Sequence, residues 1–221
     1  MKSIVCIFAH PDDEAFGPGG TIAKLAKTRE VYIICTTKGE AGKHKGKDGK
    51  KNLGEIRANE LRASAKVLGV KKIFFLGFQD GTLSNNLYHD IAQKAESILK
   101  RLKPDTILTY EPRGISGHLD HIAMSLISSY LFERSSFIKK LMQFCVLDSP
   151  ERRKMKYFIY FPPGYKKSEV DFVSDVRGVW DTKIQAMMQH KSQIHDIERI
   201  LKMYKKSPKI ENFLVQMKKG R

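Results

Sequence analysis

Residues 3–14 read SIVCIFAHPDDE, an apolar run that passes directly into a histidine, a proline and three acids. The run at 3–9 is short and bounded by polar residues, which is typical of a strand buried on both faces of a parallel sheet. The acids at 12–14 repel one another unless a cation lies among them. The stretch therefore predicts a buried strand with a metal site at its carboxyl end.

Three further runs have the same character: VYIICTT at 31–37, KIFFLGF at 72–78 and DTILTYE at 105–111. The segments between these runs, and the one at 118–135, carry apolar residues three and four positions apart, which predicts amphipathic helices. Regular alternation of strands and helices favours an α/β fold. We expect a Rossmann-like, doubly wound, mostly parallel sheet with helices on both faces.

The C-terminal part is less regular. FCVLD at 144–148 and KYFIYFP at 156–162 are predicted to be strands that extend the sheet, and 177–206 is predicted to hold one or two helices. The chain contains no internal repeat and no low-complexity linker. We therefore predict a single domain over 1–221, with a catalytic core at about 1–135 that 144–221 completes.

The net charge of +16 raises the question of an anionic partner. Lysines are spread through nearly every segment, with a local excess at 38–51. No helix-turn-helix pattern, RNA-binding motif or zinc-finger spacing accompanies them. The pattern favours a solvated, lysine-rich surface over nucleic-acid binding.

The composition also indicates where the protein resides. No apolar run approaches the roughly 18 residues that a membrane span needs, and the N-terminus lacks a signal-peptide pattern. Cys6, Cys35 and Cys145 lie in apolar surroundings, so we predict reduced thiols in the core. Together these features predict a cytoplasmic protein.

A second polar cluster, GISGHLDH at 114–121, follows the fourth predicted strand. The spacing of His118 and His121 at a helix start lets both rings face the same way. Because ligands bind beyond the carboxyl ends of parallel strands, both clusters are expected at one edge of the sheet. His10, this histidine pair and a carboxylate form a normal zinc set with one position left for water. Solvated histidines at a capped helix end are the competing interpretation.

The two adjacent aspartates cannot both bind one ion without strain. Either Asp12 or Asp13 can be the ligand, and its neighbour can then accept a proton from the activated water. The residues alone do not decide between them. The glycines at 17–20 lack the spacing of a dinucleotide-binding motif, and no such cofactor is predicted.

Several short motifs, taken together, resemble the LmbE/PIG-L family of zinc-dependent N-acetylglucosamine-type deacetylases over most of the chain. They occur in the order typical of the family: AHPDDE at 9–14, TKGEAG at 37–42, RANE at 57–60, GFQDG at 77–81, HLDH at 118–121 and KIQAMMQHKSQ at 183–193. The first of these combined with the HLDH motif is highly specific.

The resemblance implies a role for each residue of the two polar clusters. One Zn²⁺ ion, or another divalent transition metal, would be held by His10, Asp13 and His121. Asp12 would be the general base. The remaining pair would act on the oxyanion, His118 as a stabilising imidazolium and Asp120 as the group that orients it.

The resemblance also implies a small-molecule substrate, an acetylated amino sugar or its conjugate, and is compatible with a homo-oligomer. Arg57 and Asp80 would hold substrate hydroxyls, although without the family Arg57 would be interpreted as an ordinary surface cation of a helix. Some members place a tyrosine two residues before the first histidine of HLDH. Here Ser116 stands there, so oxyanion stabilisation would depend on zinc and His118.

Other interpretations remain open. A metal-dependent amidase acting on a thiol conjugate or another acylated amine would use the same residues, whereas a non-catalytic basic binding module would bind no metal. His190 could serve in helix packing, in an oligomer contact or in substrate contact. The lysine- and glycine-rich segment 43–51 could form a flexible cover that attracts anionic conjugates.

Overall fold

The computed structural model describes residues 2–42, 52–154, 158–205 and 207–218. The predicted cover at 43–51 lies outside the described residues. Within them, seven strands form one sheet in the order β3-β2-β1-β4-β5-β7-β6. The strands are β1 Ser3–Phe8, β2 Glu30–Cys35, β3 Lys72–Phe75, β4 Thr106–Tyr110, β5 Lys140–Cys145, β6 Phe172–Asp175 and β7 Ile210–Met217.

The first five strands pair in parallel, and β7 pairs antiparallel with both β5 and β6. Strand order reverses at β1, whose neighbours are β2 on one side and β4 on the other. This is the topological switch point of a doubly wound sheet, where a crevice opens beyond the strand ends. The predicted mostly parallel α/β architecture is confirmed.

Helices cover both faces of the sheet. They are α1 Asp13–Phe16, α2 Gly19–Ala26, α3 Leu53–Leu68, α4 Tyr88–Leu102, α5 Gly114–Gly117, α6 Leu119–Arg134, α7 Pro150–Arg153, α8 Trp180–Met187 and α9 Ile194–Tyr204. Alternate residues of β1 enter two separate cores: Cys6 joins the one beneath α2, α3 and α8, and Ile7 joins the one beneath α4 and α6. The strand is therefore buried on both faces, as its apolar run predicts.

The three cysteines are free and buried, which confirms the prediction of reduced core thiols. In the part of the chain that the structure describes, every helix is too short or too polar to cross a bilayer.

The C-terminal prediction is partly wrong. Residues 158–162 of the predicted strand at 156–162 are irregular, and their apolar side chains are largely exposed. The strand predicted at 144–148 corresponds to β5, which lies at Lys140–Cys145, so its predicted bounds are wrong. Beyond β5 the sheet is extended by β7 and β6, which sequence analysis missed. The alternation of apolar and polar residues is weak in both strands, since three of the four residues of β6 are exposed at the sheet edge and β7 mixes buried and exposed positions. Neither strand has the continuous apolar run that reveals the parallel strands.

A buried ion pair fastens the C-terminal strands to the N-terminal half. Lys183 of α8 donates to Glu211 Oε1 of β7 at 2.7 Å and to the carbonyl oxygen of Gly17 at 2.6 Å. Glu211 also accepts the backbone N–H groups of Gly20 and Thr21 in the first turn of α2. Burial alone lowers the pKa of Lys183, but Glu211 outweighs it and raises that pKa above its ordinary value. Every charge here has a partner.

Glu211→Ala should destabilise the protein by about 3–5 kcal/mol, because it leaves the Lys183 ammonium buried without a counter-charge. Urea unfolding followed by circular dichroism measures the change. The matched control is Asp175→Ala, which removes an exposed ion pair with Arg177 and a hydrogen bond from the Arg177 backbone N–H, and should lower the free energy of unfolding much less. Equal effects of the two substitutions would contradict this account of the buried pair.

Candidate active site and metal centre

The two polar clusters meet at the switch point. β1 and β4 are neighbouring parallel strands, so the segments that follow them leave the same edge of the sheet. The rings of His10 and His121 lie with centroids 5.1 Å apart, and the His118 ring lies 4.7 Å from each of them. The clustering predicted from strand ends is therefore present in the folded chain.

Three side chains converge as a set that could hold a metal ion, which we call the metal-binding set. His121 Nε2 lies 3.2 Å from His10 Nδ1 and 3.1 Å from Asp13 Oδ1. The ligand atoms of the three residues all lie within 4.8 Å of one another. The other oxygen of Asp13 accepts the backbone N–H groups of Ala9 and His10, which fixes the carboxylate toward the rings. Burial raises the pKa of Asp13, but His121 outweighs it and holds that pKa well below its usual range.

Hydrogen bonds on the outer sides of the rings test whether this set fits a metal. His121 Nδ1 lies 3.2 Å from the carbonyl oxygen of Gly114, which can only accept, so Nδ1 carries the hydrogen. His10 Nε2 lies 2.9 Å from Asp80 Oδ1 and 3.1 Å from Asp120 Oδ2, so it also carries a hydrogen. With the outer hydrogens placed in this way, the nitrogens that can carry a lone pair for a metal are His10 Nδ1 and His121 Nε2, on the side of Asp13. Two imidazole nitrogens and a carboxylate oxygen, with carboxylates behind one histidine, suit zinc.

The charges around His10 favour a cation at this point. Burial lowers the pKa of His10, but the carboxylates of Asp120 and Asp80 outweigh burial and raise it to about 10. The surroundings thus stabilise positive charge, which a divalent ion supplies as well as a proton does. His10, His118 and Asp120 form a second set within ligand distance. We favour the set with Asp13, because the Asp120 oxygens accept the N–H groups of Gly81 and Leu83.

Asp12 is turned away from its neighbour Asp13. Its Oδ2 accepts a 2.8 Å hydrogen bond from Arg57, which also donates to the carbonyl oxygens of Pro11 and Gly39. Burial raises the pKa of Asp12, and although Arg57 lowers it the net value is about 6. A carboxylate with a pKa near neutrality can both take and return a proton. Arg57 is buried, so its interpretation as a surface cation of a helix is wrong.

A buried network behind Asp12 was not found from the sequence. Asp12 has a φ of 107°, a left-handed conformation that costs a residue with a side chain about 1–3 kcal/mol. Its backbone N–H donates to Glu14 Oε2 at 3.1 Å. Glu14 Oε1 accepts from Ser64 Oγ at 2.5 Å and lies 2.7 Å from His190 Nε2. The network therefore holds the strained backbone of Asp12. It also shows that His190, whose role the sequence left undecided, is a buried partner of Glu14.

The Asp120 side chain contacts His10, and it is the backbone N–H of Asp120 that donates to His118 Nδ1 at 3.2 Å. The hydrogen of a neutral His118 therefore lies on Nε2. Burial, His121 and His10 together lower the pKa of His118 to about 4. These contacts disfavour the imidazolium form expected for His118, and they orient the ring through the main chain.

The two residues expected to hold substrate hydroxyls lie near the cluster but contact protein groups. Asp80 Oδ1 contacts His10, and Asp80 Oδ2 accepts the N–H of Ala41 at 2.9 Å. Arg57 contacts Asp12. Both therefore support other site residues, and their contact with substrate stays a prediction.

Glu111, just after β4, also supports the site and was not singled out by sequence analysis. Its carboxylate accepts the N–H of Ile115 at 2.6 Å and the hydroxyl of Tyr165 at 2.9 Å, which shapes the turn at Gly114. Gly114 has a φ of 64°, and a Cβ there would lie 2.8 Å from Ile122. Only glycine fits, and its carbonyl oxygen is the one that orients His121. The sequence feature that could have identified Glu111 is its place as an acid directly after a buried strand.

Comparison with known proteins agrees with this geometry. A family model described as PIG-L, GlcNAc-PI de-N-acetylase, matches residues 5–131. The chain belongs to the PIG-L family. The resemblance inferred from the motifs is thereby confirmed.

Two relatives match most of the chain. A probable N-acetyl-α-D-glucosaminyl L-malate deacetylase 2 of Bacillus cereus is 29% identical over 197 residues, covering 87% of this chain and 84% of the relative. The diacetylchitobiose deacetylase of Thermococcus kodakarensis is 30% identical over 203 residues, covering 87% of this chain and 70% of the relative. The solved N,N'-diacetylchitobiose deacetylase of Pyrococcus horikoshii superposes with a TM-score of 0.74 at 22% identity, covering 98% of this chain and 84% of that one, which shows a shared fold.

His190→Ala should destabilise the protein by about 3 kcal/mol near pH 6, because it removes a partner from the buried Glu14 carboxylate. Burial lowers the pKa of His190, but Glu14 outweighs it and the net pKa is raised. A group with a raised folded pKa stabilises fully below its unfolded value of about 6.5 and loses that contribution as the pH rises through the folded value. The difference from wild type should therefore shrink toward alkaline pH.

Urea unfolding across this pH range measures the difference. Ser192→Ala is the matched control, since Ser192 donates to Glu60 and lies two residues from His190. Its effect should be smaller and independent of pH. A difference for His190→Ala that grows with pH would refute the ion pair with Glu14.

Proposed function

We propose that the protein hydrolyses the N-acetyl group of an N-acetylglucosamine-type amino sugar or its conjugate, releasing acetate and the free amine. The observation that carries this proposal is the placement of Asp12, with a pKa of about 6, beside the metal-binding set of His10, Asp13 and His121. Both curated relatives described above are named as deacetylases of acetylated glucosamine compounds, which supports the same reaction.

The proposed cofactor is one Zn²⁺ ion per chain, held by His10 Nδ1, Asp13 Oδ1 and His121 Nε2. When bound, such an ion polarises the acetyl carbonyl and lowers the pKa of a water molecule toward about 7. Other divalent transition metals bind the same nitrogen and oxygen ligands, so the metal content of the purified protein is part of the test.

Asp12 is proposed as the general base. Arg57 holds its Oδ2, so Oδ1 is the atom that accepts the proton of the attacking water. The protonated carboxyl can then deliver this proton to the departing amine. The network through Glu14 fixes the main chain of Asp12 and so limits the directions in which its carboxylate can turn.

His118 is proposed to donate from Nε2–H to the oxygen of the acetyl carbonyl as negative charge develops there. A neutral imidazole suffices for this, and one such donor is worth about 3–4 kcal/mol in comparable sites. With Ser116 in place of the tyrosine found in some members, His118 is the side-chain donor that the sequence offers at this position.

The competing interpretations are less well supported. A basic binding module has no use for a buried set of histidines and carboxylates with oriented rings. An amidase acting on another acylated amine would use the same residues, but the relatives point to amino sugars. The free, buried thiols suit a reducing compartment, and we propose a cytoplasmic location.

Asp12→Asn should lower kcat by about 10²–10⁴-fold, because an amide cannot accept the proton of water. Bound metal should stay near the wild-type level, since Asp12 is outside the ligand set. Amine release from N-acetylglucosamine, diacetylchitobiose and an acetylated malate glucosaminide gives the rates, and elemental analysis gives the metal content. A variant with near-normal turnover would overturn Asp12 as the base.

His121→Ala should lose most of the bound metal together with activity, because it removes one of only three proposed protein ligands. Elemental analysis after dialysis is the direct readout, and circular dichroism checks that the fold survives. The control is His195→Ala, a histidine of α9 paired with Asp196 outside the site. Full metal retention in His121→Ala would exclude this ligand set.

A further inference from the structure

A pocket of about 660 Å³ opens beside His118, between the start of α6 and the irregular segment at 158–163. Four of its lining residues form what we call the apolar wall: Leu119, Phe158, Ile159 and Tyr160. Ile159 is fully exposed, Leu119 is 74% exposed and Tyr160 is 67% exposed. A concave pocket lined mainly by apolar and aromatic side chains, with a few polar groups at one end, is typical of a small-molecule site.

The apolar wall is continuous with the candidate active site. His118 and Asp120 line the same pocket. The edge of the Phe158 ring packs against the His118 ring, with centroids 5.1 Å apart. A ligand whose acetamido group lies at the metal-binding set would therefore reach the wall with the part of the molecule beyond the sugar.

The charges around the pocket indicate the chemical character of the group attached to the sugar. Among the described lining residues the one cation is Arg113. Its guanidinium donates to the carbonyl oxygens of Pro163 and Gly164 and lies 4.1 Å from the centre of the Tyr165 ring. Arg113 is a single cation on a lining that is otherwise mostly apolar, and the apolar wall gains from contact with hydrocarbon.

We propose that the substrate is an N-acetylglucosaminide with an apolar aglycone, which lies on the apolar wall while the sugar occupies the candidate active site. The inference rests on the proposed deacetylase function and narrows its substrate class. An apolar aglycone differs from the anionic conjugate that the lysine-rich segment at 43–51 suggests. That segment lies outside the described residues.

Matched glycosides test this inference. Methyl and octyl N-acetylglucosaminides of the same anomeric configuration differ only in the length of the aglycone, and an acetylated malate glucosaminide supplies an anionic one. Below the micelle concentration, kcat/KM for the octyl compound should exceed that for the methyl compound by at least about tenfold, since each buried methylene contributes about 0.8 kcal/mol. The malate compound should show no such gain.

The variant Ile159→Ser combined with Tyr160→Ser should remove most of the octyl preference, measured as the ratio of kcat/KM for the octyl compound to kcat/KM for the methyl compound. Both side chains are exposed, so the fold should tolerate the change. Val173→Ser, at a half-exposed apolar position on β6, is the matched control and should leave the preference intact. An octyl preference that persists in the double variant would overturn the role of the wall.

The two proposals fail in different ways. Turnover of the methyl compound without an octyl preference, or a preference for the malate compound, would overturn the apolar aglycone and leave the deacetylase function standing. Absence of turnover with every glycoside would overturn the function. In that case, calorimetric titration with the octyl and methyl glycosides tests separately whether the wall binds an alkyl group. Equal affinities for the two glycosides would refute binding by the wall.

Discussion

The parallel pairing of β1 with β4 is the constraint on which the candidate site depends. Ile4 is in register with Thr106 and Cys6 with Leu108, so the two strands end at the same edge of the sheet. His10 and His121 are 111 positions apart in the chain, yet their ring nitrogens lie 3.2 Å apart. Neither segment supplies a complete ligand set alone. The buried apolar side chains that fix this register therefore also fix the distances between the polar ones.

The three consecutive acids after β1 are accommodated by three different partners. Asp13 faces His121 and two backbone N–H groups, Asp12 faces Arg57, and Glu14 faces Ser64 and His190. Repulsion among adjacent carboxylates is thus relieved by their pointing in different directions. A cation at the histidines accounts for only one of them. Separate surroundings are also what allow neighbouring aspartates to differ in pKa, with Asp12 raised and Asp13 lowered.

Much of the architecture and the membership of the two clusters could be predicted from the sequence, because β1, β2 and β4 are buried on both faces and leave continuous apolar runs. The edge strand β3 has such a run although it is only partly buried. The antiparallel strands β6 and β7 could not be predicted, since exposed positions interrupt their apolar pattern. Contacts between side chains far apart in the sequence could not be predicted either. The motif at 57–60 does not indicate that Arg57 contacts Asp12. The motif at 183–193 likewise does not indicate that His190 contacts Glu14. Asp120 and Asp80 were assigned from motif position, and only the fold shows both on the outer side of His10.

The contact between His190 and Glu14 has a consequence for recombination between relatives. The family model ends at residue 131, but Glu14 depends on a histidine 176 positions away, and the first turn of α2 depends on Glu211. The two halves of the chain are thus joined by specific pairs of buried polar groups as well as by apolar packing. Chimaeras that exchange C-terminal halves among family members should work only where these pairs are inherited together.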